Sequence, residues 1–257
     1  MKKTLILFVL SVLVITGPAF SGLVTFKMGY FIPSAGSDLW DEEFFNMSFI
    51  KSDFHSTNFG FGYEYFISKE LSFILSIEGY SKQKYGFYDA WVGYIDPEFS
   101  WDWAYPAEYE GDFKPGHTFS VSITPLQFSL KLTPLGRKGG FIPYVGGGVG
   151  VYLWSVRIRN GDFIDFSEEW YDEVNEVTIY PIYSWVETRE ENRLAVGYHA
   201  LGGVMIPLAN RITVEVEFKY NFSKGNFPED NILYGFWGFE PLDLGGYQIS
   251  LGLNYWF

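Results

Sequence analysis

The chain has 257 residues with a formal net charge of −13, and Phe, Tyr and Trp make up 21% of it. That charge argues against nucleic acid as a direct partner, and the absence of Cys removes disulfides, thiolate nucleophiles and Cys-based metal sites. Mean hydropathy is +0.01, and no apolar run beyond the N-terminus could cross a bilayer as a helix, whereas strands alternating apolar and polar residues average to such a value.

The N-terminus reads as an export signal, residues 1–21. Lys2 and Lys3 form the basic start, 5–16 the apolar stretch, and Gly17-Pro18 breaks it. Ala19 and Ser21 place small residues for cleavage before Gly22. The apolar stretch is short for a membrane anchor, and no Cys follows it for lipid attachment. The mature unit is then 22–257, expected to form a single barrel domain.

Past residue 22 the dominant period is two, which marks half-buried strands. Strands are expected over 22–33, 58–68, 71–81, 117–133, 141–159, 193–207, 212–222 and 244–257. In 58–68, Phe59, Phe61, Tyr63, Tyr65 and Ile67 share one face, opposite Gly60, Gly62 and Glu64. In 212–222, Ile212, Val214, Val216, Phe218, Tyr220 and Phe222 oppose Thr213, Glu215, Glu217, Lys219 and Asn221. The strand 117–133 carries Phe119, Val121 and Ile123 in one phase and Leu126, Phe128, Leu130 and Leu132 in the other. Pro125 stands between them, so a bulge that re-aims the strand is expected there.

The connections alternate in length. Residues 69–70, 134–140 and 208–211 are short turns, while 34–57, 82–116, 160–192 and 223–243 are long loops. Short inner turns and long outer loops are the pattern of bacterial outer-membrane barrels. An even count of strands returns Phe257 to the side on which the first strand begins. The expected fold is therefore all-β, an eight-stranded antiparallel transmembrane β-barrel with up-and-down connections. A secreted sandwich is the competing fold, but it has no need of alternating loop lengths or of an aromatic C-terminus.

Short motifs carry a resemblance. The terminal Leu253-Asn254-Tyr255-Trp256-Phe257 is similar to the C-terminal signal of outer-membrane barrels, with Tyr255 and Phe257 at the alternate positions. Pro143-Tyr144-Val145-Gly146-Gly147-Gly148-Val149-Gly150 resembles a strand of small eight-stranded outer-membrane proteins, and 197–204 and 214–220 are similar to their sixth and seventh strands. The chain thus resembles the broad OmpA/OmpW-like superfamily. The resemblance implies the bacterial outer membrane as location, membrane lipid and lipopolysaccharide as surroundings, and the barrel assembly machinery as the reader of the last strand. It implies no peptidoglycan-binding domain.

In an eight-stranded barrel the interior is just wide enough for side chains or one small ligand. Glu64, Glu78, Lys131, Glu215, Glu217 and Lys219 are the candidate lumen-facing residues, and buried charges there must be paired. The three histidines are His55, His117 and His199, with His199 on the expected inward face. The residues two positions after them are Thr57, Phe119 and Leu201. The His–Ser spacing of lipid A deacylases is thus absent, and no catalytic set, metal site or cofactor is expected. The loop 160–192 is acidic and aromatic: Asp162, Asp165, Glu168, Glu169, Asp172, Glu173, Glu176, Glu187, Glu190 and Glu191, with Arg189 as its one base and Trp170, Tyr171, Tyr180, Tyr183 and Trp185 among them. The sequence leaves open a structural barrel that passes or binds small apolar molecules and a surface receptor or adhesin acting through these loops. A lipid-modifying enzyme is the weakest alternative.

Overall fold

Alternating residues on a strand face opposite sides, so a sheet with one large-apolar face must bury it or offer it to lipid. Here it is offered outward. The computed structural model describes residues 21–98, 101–228, 236 and 238–257, apart from the side chains at 160 and 185–187. The signal expected over 1–21 lies outside the described residues except for Ser21.

In chain order the elements are β1 (Gly22–Pro33), helix α1 (Asp38–Asn46), a 3-10 turn (Lys51–Phe54), β2 (Ser56–Phe66), β3 (Leu71–Phe87), β4 (Trp91–Ile95) and β5 (Asp102–Pro106). There follow β6 (Gly116–Leu132), β7 (Ile142–Ile164), β8 (Trp170–Asp172), β9 (Val177–Ala209), β10 (Ile212–Gly225), β11 (Leu242–Asp243) and β12 (Gly246–Trp256). Eight of these strands form the barrel wall. β1, β2, β3, β6, β7, β9, β10 and β12 pair as antiparallel neighbours in that order, and β12 pairs back onto β1. Phe26, for example, sits between Phe61 on one side and Leu253 on the other. Closure leaves the barrel wall without an edge, which hydrocarbon demands because it offers no partner to a free N–H or C=O.

The outer wall shows where the membrane lies. Its lower rows are apolar, from Leu71, Leu132, Val145 and Gly202 up through Ile77, Leu126, Val151 and Val196. The character then changes in one row, Ser81, Ser122, Ser155 and Asn192, paired across four strands. On β12 the outward residues Tyr247, Ile249, Leu251, Leu253 and Tyr255, together with Phe257 just beyond it, are all about half exposed. Ten residues of strand at ~3.3 Å each, tilted by about 40°, cover roughly 25 Å, the height of a lipid-facing band.

Two expectations are corrected. β6 has no bulge at Pro125: its pairing with β7 is continuous, with Pro125 opposite Tyr152. The ladder to β3 is interrupted at Glu78–Gly79 and resumes unshifted at Tyr80 opposite Ile123. Odd residues of β6 face inward throughout, so Phe119, Val121 and Ile123 are buried inside the barrel while Phe128, Leu130 and Leu132 are exposed outside it. What changes along β6 is the chemistry of the interior and not the phase of the strand. The outer loops are also far less loop-like than expected. β3, β7 and β9 run on past the membrane edge, and β9, 33 residues long, takes up 177–192 of the expected loop.

Candidate functional site: a two-layer lumen beneath an acidic canopy

The lumen has an ionic lower layer. Glu64, Glu78, Lys131, Glu215, Glu217 and Lys219 all lie inside the barrel at 1–4% exposure or thereabouts, each at an inward position of its strand. Lys131 Nζ donates to Glu64 Oε2 at 2.8 Å, and Lys219 Nζ to Glu78 Oε1 at 2.5 Å. Glu217 Oε2 accepts from Lys27 Nζ at 2.8 Å and from the Tyr144 hydroxyl at 3.1 Å, while Glu215 Oε1 lies 3.2 Å from the same lysine. Gln127 and Gln248 take further polar ends: Lys219 donates to Gln127 Oε1 at 3.0 Å, and Gln248 Nε2 donates to Glu78 Oε2 at 2.7 Å.

The charges balance. Glu64, Glu78, Glu215 and Glu217 meet Lys27, Lys131 and Lys219, with Arg137 placing Nη2 3.9 Å from Glu64 at the inner rim. Buried charges of one sign in such a volume would repel by several kcal/mol, roughly; paired, Lys219 and Glu78 tie opposite walls together, while Lys131–Glu64 and Lys27–Glu217 each bridge one intervening strand. Lys27 and Arg137 were missing from the sequence-based set. Lys27 alternates with the outward Phe26 and Met28, and that parity was the available signal.

Above the ionic layer the interior is apolar. The helix α1 and the 3-10 turn fold from the first outer connection into the mouth, where Leu39, Trp40 and Phe54 become fully buried. Trp40 meets Phe54 at 5.0 Å and Phe119 at 5.3 Å between ring centroids, and Phe49 packs on Phe54 at 5.6 Å. Tyr80 donates its hydroxyl to the Phe54 carbonyl at 2.6 Å. The indole of Trp40 donates to the Asp243 carbonyl at 3.2 Å, tying the plug to the last outer connection. At the plug's outer edge His117 Nε2 lies 2.7 Å from Glu43 Oε2, both side chains buried.

Within the ionic layer, between Gln127 and Lys131 on β6, sits a pair that sequence spacing does not reveal. Ser129 Oγ lies 2.7 Å from His199 Nε2, although the two residues are on β6 and β9 with β7 between them. Gly148 is the residue of β7 paired with both, and a Cβ there would stand 1.8 Å from the Phe128 carbonyl oxygen. A bare glycine lets the side chains meet across an intervening strand. His199 Nδ1 is buried and has no partner among the described residues, so none of their acids orients the imidazole. Among the described residues no group of three or more His, Asp or Glu is set to hold a metal ion. His55 lies on the outer side, edge-on to Tyr30 at 6.1 Å.

Over the mouth stands a canopy. β5 pairs with the outer part of β9 and β4 pairs with β5, while β8 folds back onto β9 near its start. Its aromatics pack in pairs, Trp91 with Tyr180 at 5.1 Å and Trp103 with Trp170 at 5.5 Å. Trp101, Trp170 and Tyr171 remain about half exposed among Asp165, Glu168, Glu169, Glu173 and Glu176. Asn175 and the Tyr105 hydroxyl both donate to Asp172 Oδ2, at 2.8 and 2.9 Å. Those bonds, the Asn175 one foremost, hold the Asp172 carboxyl down to about 2, whereas burial and the same hydrogen bond push Tyr105 up to about 12.

An apolar outer band, a closed antiparallel wall, buried ion pairs within and a polar head above together define a transmembrane β-barrel of the bacterial outer membrane. No protein-family model and no curated protein matches the chain. Among solved structures it is similar to OprG of Pseudomonas aeruginosa, with 11% identity, 93% of this chain and 96% of that one covered, and a TM-score of 0.49. It is also similar to Ail of Yersinia pestis in complex with the heparin analogue sucrose octasulfate (11%, 92% and 99%, TM-score 0.41) and to Neisserial surface protein A (12%, 93% and 97%, 0.41). The barrel itself follows from the chain's own strand register.

Proposed function

We propose that this protein is a closed, non-enzymatic outer-membrane barrel whose working part is the canopy, a rigid receptor or adhesin face presented at the cell surface. The observation that carries this reading is the division of labour between interior and exterior. The lumen is filled twice, by ion pairs below and by the aromatic plug above, while β7 and β9 continue outward and β9 binds β5 and β8. A sealed barrel is a poor conduit and a good pedestal. The half-exposed Trp and Tyr rings supply flat contact area at low entropic cost, and the carboxylates around them favour a cationic face on the partner. Enzyme chemistry is left without support, because the Ser129–His199 pair lacks an orienting acid among the described residues and lies below the plug. Tyr255 and Phe257 face outward in the periplasmic half of the wall, where the assembly machinery and then membrane lipid would meet them.

Two measurements test the reading together. Purified protein in planar bilayers should give no steady conductance. Replacing 165–176 by a short Gly-Ser turn should abolish adhesion to host or bacterial surfaces while the barrel remains folded. Steady channels in the intact protein, or adhesion that survives the replacement, would sink it.

A second reading, access for small apolar molecules through the wall, is favoured by one feature. Where Pro125 withholds an N–H, the β3–β6 ladder skips Gly79, and a cavity of about 20 Å³ lies behind it, lined by Gly79, Pro125 and Tyr80. Under that reading Pro125→Val, which restores the donor, should slow uptake of a small apolar solute into proteoliposomes. Unchanged uptake removes it.

A further inference from the structure

The outer mouth holds a larger cavity that neither the sealed lumen nor the canopy face explains. It lies between α1, the start of β6 and the outer reaches of β7 and β9, and encloses about 100 Å³. Leu39, Met47 and Ile158 form an apolar wall, and Glu42, Glu43 and Asp162 supply carboxylates. Glu43 is 5% exposed and its Oε2 meets His117 Nε2 at 2.7 Å, while Glu42 Oε1 accepts from the Asn46 amide at 2.9 Å and Asp162 Oδ2 from the Gly116 N–H at 2.8 Å. Of the basic groups in the lining, His117 is paired with Glu43, and Arg189 rests its guanidinium over the Phe163 ring at 5.3 Å. Three carboxylates therefore share the lining with one guanidinium and one imidazole. The potential is felt by the neighbouring phenol: burial first, then Glu43, Glu42 and Asp162, push Tyr88 up to about 12.

What would satisfy such a cavity is limited by its two-sided lining. A hydrated metal ion would leave the apolar wall in contact with water, and the carboxylates here form no metal-ligand group. A neutral apolar guest would take water from the carboxylate oxygens that face the cavity and offer no hydrogen bond in its place, which costs a few kcal/mol, roughly. A guest with a cationic head and a short apolar tail meets both demands. Size sets the tail, since an apolar cavity of about 150 Å³ takes a benzene-sized guest and this one is smaller.

We propose that this cavity is a binding site for a small organic ammonium ion, an alkylamine of roughly three to five carbons. Its head group is held by Glu43 and Asp162, and its tail lies against Leu39, Met47 and Ile158. The site reaches the cell exterior and needs no passage through the barrel, so it stands whether or not the canopy is a receptor face.

The test is calorimetric titration of the full-length folded protein, in a neutral detergent, with n-butylammonium, n-butanol and butyrate. Butylammonium should bind at least about tenfold tighter than the other two, as expected for a charge-assisted hydrogen bond in a dry site. Glu43→Gln should weaken it by about tenfold or more. Because Glu43 also anchors the plug through His117, a second variant, Ile158→Phe, fills the tail space and leaves every carboxylate in place. Heat-dependent migration in gels reports that each variant is folded. Butylammonium binding no tighter than butanol, or undiminished in folded Ile158→Phe, overturns the proposal.

Discussion

At the scale of single residues, the lumen concentrates its consequences in a few atoms. Lys131 is 2% exposed and provides the cation for Glu64, whose other oxygen accepts from the Ser72 hydroxyl at 2.5 Å. Lys131→Met would leave a buried carboxylate facing only the more distant Arg137. The expected loss is about 3–5 kcal/mol, the usual cost of breaking one side of a buried pair. Removing both charges with Lys131→Met and Glu64→Gln should recover most of it. Urea unfolding in lipid vesicles measures both, and a single-variant loss below about 1 kcal/mol would show that Glu64 is solvated after all. Gly148 is the second sensitive point. A methyl group there meets backbone and not a flexible side chain, so Gly148→Ala should yield no heat-modifiable barrel, whereas Ser129→Ala should assemble with little change.

The element scale is where pattern reading and structure diverge. In β6 the large residues Phe119, Val121 and Ile123 sit in the opposite phase to Leu126, Phe128 and Leu130. Hydrophobicity marks a lipid-facing side only if the other side is polar, and the plug makes the upper lumen apolar too. The alternation was legible; which face met lipid was not. In the same way 160–192 reads as loop because charge and aromatics are mixed on both faces, which is what a two-sided strand in water requires. The glycine at 148 was visible, but pairing Ser129 with His199 needs cross-strand register that no local spacing encodes. The canopy carries its own pH response. An ordinary Asp titrates near 3.8 and Asp172 near 2. Its folded-state value is depressed, so its contribution is complete above 3.8 and fades as the pH falls toward 2. Tryptophan fluorescence from the β5–β8 contact, where Trp103 meets Trp170, should therefore shift in that acid window, and Asp172→Asn should flatten the shift. A change confined to neutral pH would point to a different group.

At the scale of the whole molecule, barrel, membrane band and strand count were legible because each rests on repeated alternation, where one misread residue changes little. That inward charges must pair was legible too; which ones pair was not, because the partners come from strands remote in sequence: Lys27 with Glu217, and Lys219 with Glu78. The two layers close the barrel by different physics, and this separates their failure. The plug depends on apolar burial of Trp40, Phe54 and Phe119 and belongs to one connection, whereas the ionic layer belongs to the wall. Replacing 36–54 by a short flexible linker should then cost stability and expose aromatic surface, yet still leave the lumen shut to ions. The Glu64–Lys131, Glu217–Lys27 and Glu78–Lys219 pairs would remain hydrogen-bonded across it with no mobile charge to exchange. Planar-bilayer recording of that deletion should show conductance no higher than the intact protein. Steady channels would mean that the plug alone is the gate and that the ionic layer hydrates once the cap above it is gone.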